Sequence, residues 1–125
     1  MRFMLLLPAP VEALERCAVP DAGIVTAMRK YDQEMRKAGV LLSEEGLHPT
    51  SKGARIRVSG GKRIVTDGPF IETKEVIAGF WIIQVNSKEE AIAWANRCPL
   101  PECGVIEIRQ IFEDHEFPAE LQKRA

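Results

Sequence analysis

The run Val76-Ile77-Ala78-Gly79-Phe80-Trp81-Ile82-Ile83-Gln84-Val85 constrains the fold more than any other stretch of the chain. It is rich in β-branched and aromatic residues and carries apolar side chains at both odd and even positions, the pattern of a strand covered on both faces. The pattern predicts a central strand. Only two substantial helices are in prospect, so one face of the strand is expected beneath them and the other against something else. A second subunit is the simplest cover, and a deep pocket is the alternative.

The first of those helices follows Asp21, whose carboxylate suits an N-cap, and ends at Gly39. Between them Ile24, Met28, Tyr31, Met35 and Ala38 fall on one stripe, while Arg29, Lys30, Gln33, Glu34, Arg36 and Lys37 face water. Ser87 and Glu90 form an S-x-x-E capping box for the second helix, whose Ala91, Ile92, Trp94 and Ala95 point inward and which stops before Pro99.

The opening Met1 to Leu7 is too short for a secretion signal, is interrupted by Pro8 and Pro10, and reads as a buried strand. Ala9 to Pro20 is expected to be a loop with one helical turn around Val11 to Cys17. Val40 to Leu42 forms a short strand running out into a turn through Ser43 to Pro49. Arg55 to Val58 and Lys62 to Val65 flank Ser59-Gly60-Gly61. A two-residue Gly-Gly loop would pair Val58 with Arg63 and mix the faces; the preferred three-residue loop sets Ile56 opposite Ile64 and Arg57 opposite Arg63, so that Arg55, Arg57 and Arg63 share one face. Gly104 to Ile111 alternates as a last strand.

Removing the hairpin leaves β-α-β-β-α-β, the ferredoxin-like order of an α+β fold. Residues 1–111 make one domain. Residues 112–125 form a charged tail, with Phe112, Phe117 and Leu121 available to fasten it onto the body or a neighbouring subunit.

Charge and motif content exclude several functions. Seventeen basic against eighteen acidic residues leave a net charge of -1, so no positive field exists to gather nucleic acid. No apolar stretch approaches the roughly 20 residues of a membrane helix. Cys17, Cys98 and Cys103 show no C-x-x-C pairing, read as packed thiols and suit a reducing cytoplasm. Glu113-Asp114-His115-Glu116 contains metal-ligand types, but neighbours in sequence do not converge on one ion without a dedicated loop. No metal or cofactor is expected, and no phosphate loop, G-x-S-x-G elbow or H-E-x-x-H helix occurs.

What chemistry the chain offers gathers around its turns. His48, in a Gly-x-x-Pro turn, suits proton transfer near neutral pH with Asp67 orienting it. Its bland reading is a half-solvated turn residue. Asp67, followed by Gly68-Pro69, is first of all a turn former, and its functional reading is a carboxylate at a pocket rim. Glu72 and Glu75 are candidates for a second proton carrier. Lys74 adds a cation beside them, although such residues commonly just decorate a strand end. Tyr31, Glu45, Pro69, Phe70, Lys74 and Phe80 complete the expected ligand-binding set.

The phrase Val65-Thr66-Asp67-Gly68-Pro69-Phe70-Ile71-Glu72-Thr73-Lys74-Glu75, followed by Gly79-Phe80, resembles the signature of the DGPF domain family, which is related to YCII-type proteins. Arg2 to Leu7, Ala38-Gly39-Val40, Glu45 to Pro49 and Ala91 to Ala95 are similar too, so the resemblance extends to about Ile111. It implies a ferredoxin-like protomer whose sheet packs on its twin's to make a dimeric α/β barrel enclosing a cleft. Members of the wider group look like small lyase-type enzymes, one removing chloride from a hydroxylated aromatic ring, and other DGPF proteins accompany sigma factors. YCII proteins place a histidine near the start of the first helix, paired with an aspartate. Asp21 to Lys37 contains no histidine, so that pair does not transfer.

Two functions follow as expectations. The first is a homodimer, joined through the sheet face, that binds an unknown small molecule and transfers protons in a lyase-like reaction. The second is a non-catalytic binding or regulatory module associated with sigma-factor-dependent transcription.

Overall fold

The computed structural model describes residues 1–10 and 22–123. The expected cap at Asp21, the helical turn around Val11 to Cys17, and Cys17 itself lie outside the described residues. Among the described residues six strands and two α-helices follow one another as β1 (Arg2–Pro10), α1 (Ala22–Lys37), β2 (Leu41–Gly46), β3 (Ala54–Ser59), β4 (Lys62–Asp67), β5 (Glu75–Gln84), α2 (Lys88–Ala95) and β6 (Glu107–Gln110). Short 3-10 turns occupy Thr50–Lys52, Asp114–Glu116 and Ala119–Leu121. Among the described residues no helix is long and apolar enough to cross a membrane.

The main sheet runs β2-β5-β1-β6 and every neighbouring pair is antiparallel. With the β3–β4 hairpin set aside, this is a mixed α+β arrangement consistent with a ferredoxin-like fold. The apolar run from Val76 occupies an interior strand, β5, paired on both edges as its composition requires. Phe3, Leu5, Trp81 and Ile83 point to one face and meet Tyr31 and Met35 of α1 and Ala91 and Ala95 of α2 in a single core. Fully burying each large apolar side chain contributes about 1.5–3 kcal/mol, so this face supplies most of the stabilisation.

α1 ends in a Schellman arrangement, with Gly39 N donating to Arg36 O and Val40 N to Met35 O. Its inward stripe is narrower than the sequence suggests at the ends: Ile24 and Ala38 are exposed, and Asp32 is buried beside Tyr31 and Met35. Ser87 Oγ accepts from Glu90 N as the capping box predicts. Glu90 Oε2, however, takes the N–H of Asn86 rather than that of Ser87. Ile92 faces outward, because α2 is short and buries only the Ala91–Ala95 edge. β1 runs on through Ala9 and Pro10, β2 continues to Gly46 where a turn was expected, and β6 begins only at Glu107.

The hairpin corrects the expected register. Gly60 and Gly61 alone form its loop, with φ of 57° and 76°, the two positive values a type I′ turn demands and which match strand twist. Ile56 therefore pairs with Val65, Arg57 with Ile64 and Val58 with Arg63. Arg63 consequently lies on the opposite face from Arg55 and Arg57, beside Ile56, Val58 and Val65. All twelve strand residues are exposed, so the hairpin stands out from the body as an arm.

Candidate functional site

The side of the sheet turned away from the helices presents two rows that cross all four strands. Glu45, Phe80, Leu6 and Glu107 are successive cross-strand neighbours, and so are Ser43, Ile82, Met4 and Arg109. The alternation that buries Trp81 and Ile83 under the helices necessarily sends Phe80 and Ile82 to this side. Met4, Leu6, Phe80 and Ile82 are half-buried and make an apolar floor, while Glu45 and Ser43 on one edge and Glu107 and Arg109 on the other are exposed. Arg109 Nη1 lies 3.4 Å from Glu107 Oε2. An apolar floor with a few charged groups at its margins suits a small molecule with an apolar body and a polar end.

Of the expected ligand-binding residues, this surface brings Glu45 and Phe80 together. Tyr31 lies across the sheet. Its hydroxyl donates to Trp94 O at 2.7 Å, and its ring meets that of Trp81 edge-on with centroids 5.5 Å apart. Burial drives its phenol well above the ordinary range, with Cys98 and Asp32 adding to the effect and Arg97 opposing it. The shallow depression outside Tyr31, also lined by Ala27, Lys30, Glu34, Arg97 and Pro99, offers little recognition. Arg97 is already committed to Glu34 at 2.6 Å and to the face of Trp94, 4.4 Å from its ring centre.

The Asp67-Gly68-Pro69-Phe70 segment is built as a clamp at the root of the arm. Gly68 N donates to Gly53 O at 2.9 Å, and Phe70 N donates to Thr50 Oγ1 at 3.0 Å. A Cβ on Gly68 would stand 1.7 Å from Thr50 O, so only glycine permits this approach. The Gly68–Pro69 peptide is cis. Phe70 is buried under the Arg55 guanidinium, 4.0 Å from its ring centre, and Arg55 Nη1 reaches Glu72 Oε1 at 3.2 Å. Thr73 Oγ1 donates to Phe70 O at 2.8 Å and closes the turn.

His48 is exposed in the segment leaving β2, and Asp67 is exposed at the end of β4 opposite Ala54. No hydrogen bond or ion pair joins them among the described residues. Glu72 is engaged by Arg55, Glu75 pairs across strands with Pro10, and Pro69 and Lys74 are exposed. Among the described residues no cluster of three or more His, Cys, Asp or Glu side chains is arranged to hold a metal ion.

Sequence reasoning missed Asp32. Its Oδ1 accepts the Trp81 indole N–H at 2.6 Å in the interior. The signal was present, since Asp32 sits four residues after Met28 and three before Met35, on the inward stripe. Its charge is felt nearby. Glu44 is held above the usual carboxylate range chiefly by burial, then by Asp32 and Glu45, with Arg36 at 3.9 Å opposing. Burial, with Asp32 adding, pushes the Cys98 thiol up to about 11.

The model of the family described as the YCII-related domain matches residues 1–115. An uncharacterised protein of Rhizobium meliloti is 33% identical over 103 residues, covering 79% of this chain and 83% of its own length.

Proposed function

The chain belongs to the YCII-related domain family, and from that premise we propose that it is a small-molecule-binding protein that works as a homodimer. Two copies meet through the helix-free sheet face and form a dimeric α/β barrel. The observation that carries this reading is the row Glu45-Phe80-Leu6-Glu107, apolar in the middle and charged at both ends. A half-covered apolar sheet face is best hidden by its own twin, because an isologous contact brings the same patch from both sides. Charged margins then line the mouth of the enclosed cleft and orient a ligand's polar end.

Binding is what these residues support. Neither a lyase-like reaction nor association with a sigma factor draws specific support from them. The proton-transfer version assigns His48 as acid or base, Asp67 as its orienting carboxylate, and Glu72 or Glu75 as second carrier. It requires His48 and Asp67 to be linked once the cleft is filled.

Sedimentation at micromolar concentration tests the assembly. The expected species has twice the 14.0 kDa mass of the chain, and Phe80→Glu returns it to 14.0 kDa. A wild-type chain sedimenting only as the single mass overturns the reading. In a thermal-shift screen of small aromatic acids and amines, a ligand at a hundred times its Kd is expected to add about 2.7 kcal/mol of stability. Glu45→Gln and Phe80→Ala should each diminish that gain.

A further inference from the structure

The arm and the C-terminal tail each leave an apolar patch in the open, and their charges are opposite. On one face of the arm, Ile56, Val58 and Val65 are 64%, 64% and 65% exposed. They share that face with Arg63, which stands directly across from Val58. From residue 52 to residue 67 the arm carries Lys52, Arg55, Arg57, Lys62 and Arg63 against one acid, Asp67. Arg55 is paired with Glu72, whereas Arg57, Lys62 and Arg63 have no ion pair among the described residues.

The tail shows the converse. Phe112 and Phe117 stack with centroids 5.4 Å apart, yet Phe112 is 71% exposed and Leu121, nearby in sequence, is 67% exposed. Around them stand Glu113, Asp114, Glu116 and Glu120 against Lys123.

The tail is not loose. Ile111 N donates to Arg2 O, and Glu113 pairs with Arg2 at 2.9 Å. Glu113 and Glu116 cap the 3-10 turn reciprocally, and Gln122 Nε2 donates to Phe117 O at 3.1 Å. A segment held this firmly while displaying its aromatic and leucine side chains to water has the form of a preorganised docking surface.

We infer that the arm of one copy docks on the tail of a second copy, Ile56, Val58 and Val65 packing against Phe112, Phe117 and Leu121, with Arg63 and Lys62 facing the tail carboxylates. The second copy is the indicated occupant because it carries the complement of each patch in both polarity and charge. Within one chain the two patches remain uncovered, so an arm does not satisfy its own tail. Six-residue strands give the arm a reach of about 20 Å, enough to cross to a neighbour. Across a two-fold axis the contact is made twice, each copy supplying one arm and one tail. This goes beyond the sheet-face dimer, since it uses different surfaces.

Photo-crosslinking tests it in the full chain. Val58→benzoylphenylalanine places the reactive group at an exposed position where folding is undisturbed. Ordinary and isotope-labelled copies are mixed at micromolar concentration and irradiated. A dimer-sized adduct on the peptide spanning residues 111–123, containing both isotopes, is expected. In the same assay Leu121→Asp should cut its yield about tenfold, as loss of one central apolar anchor does. No dimer-sized adduct, an adduct confined to one isotope, or one mapping to the Met4 or Phe80 regions overturns the inference. The last result would leave the sheet-face reading intact, so the two are distinguishable.

Discussion

The indole N–H of Trp81 is satisfied by Asp32 Oδ1 at 2.6 Å, a bond from the central strand to the first helix made inside the core. It ties the orientation of α1 to the register of β5, because both side chains are buried and the bond joins one element to the other. Asp32→Ala strands the indole donor and should cost about 1–3 kcal/mol in urea unfolding, whereas Asp32→Asn keeps an acceptor and should cost less. In the Trp81→Phe background the Asp32 substitution should differ in its cost by about 0.5 kcal/mol or more, since contacting residues couple. Strict additivity would mean the bond contributes nothing.

Glu44 gives a pH dependence of unusual sign. Its folded carboxyl is raised above the usual carboxylate range, so the fold favours its neutral form. The contribution to stability is therefore fully present below the unfolded pKa and is lost as pH rises through the folded one. Glu44→Gln should raise the melting temperature at pH 7 and change nothing near pH 3. A lower melting temperature at pH 7 would show instead that the pairing with Arg36 dominates.

Among the described residues, cysteine labelling separates a buried thiol from an open one. Cys98 is 7% exposed with its thiol pushed up to about 11 from 9.0, while Cys103 is exposed. Iodoacetamide at pH 8 should modify native Cys103 readily and Cys98 far more slowly, because burial both shields the Cys98 sulfur from the reagent and disfavours its thiolate. Equal rates in the native protein, followed by mass spectrometry, would contradict the packing around α2.

The clamp at the root of the arm makes two glycine substitutions unequal. Gly68→Ala drives a methyl group to 1.7 Å from Thr50 O and 2.5 Å from its carbonyl carbon, both backbone atoms that cannot swing away. It should cost about 3 kcal/mol or more and speed hydrogen exchange throughout β3 and β4. Gly60→Ala meets no atom and bears only the left-handed backbone, at about 1–2 kcal/mol. Similar exchange rates in the two variants would show that the close approach is not what holds the arm.

How much of this was legible beforehand varied with how local the governing physics is. The interior position of β5 followed from its unbroken apolar run, and the ends of α1 and α2 followed from Gly39 and from the Ser87–Glu90 spacing. Loop length in the hairpin did not, because Ser59-Gly60-Gly61 satisfies either a two- or a three-residue turn and the choice rests on backbone twist. One residue of difference there sends Arg63 to the other face. Asp32 was passed over because a carboxylate on an apolar stripe looks like an interruption until its indole partner, 49 positions away, is known. Glu45 and Phe80 were both expected at a ligand site, and their cross-strand adjacency depends on a strand register that no local pattern gives. The relation of His48 to Asp67 depends on tertiary placement, which no local pattern encodes.

Gly46 and Gly79 are cross-strand neighbours although everything from residue 47 to residue 78 lies between them. The polypeptide leaves the sheet after Gly46 and rejoins it at Glu75, which pairs with Pro10 four residues before the Gly46–Gly79 contact, so the excursion is a nearly closed detour in the ladder. Closing entropy grows only slowly with the number of residues enclosed. The appendage is therefore free to lengthen, shorten or change its surface over evolutionary time while the four-stranded platform stays as it is. A lineage of such proteins can diversify what it touches without renegotiating how it folds.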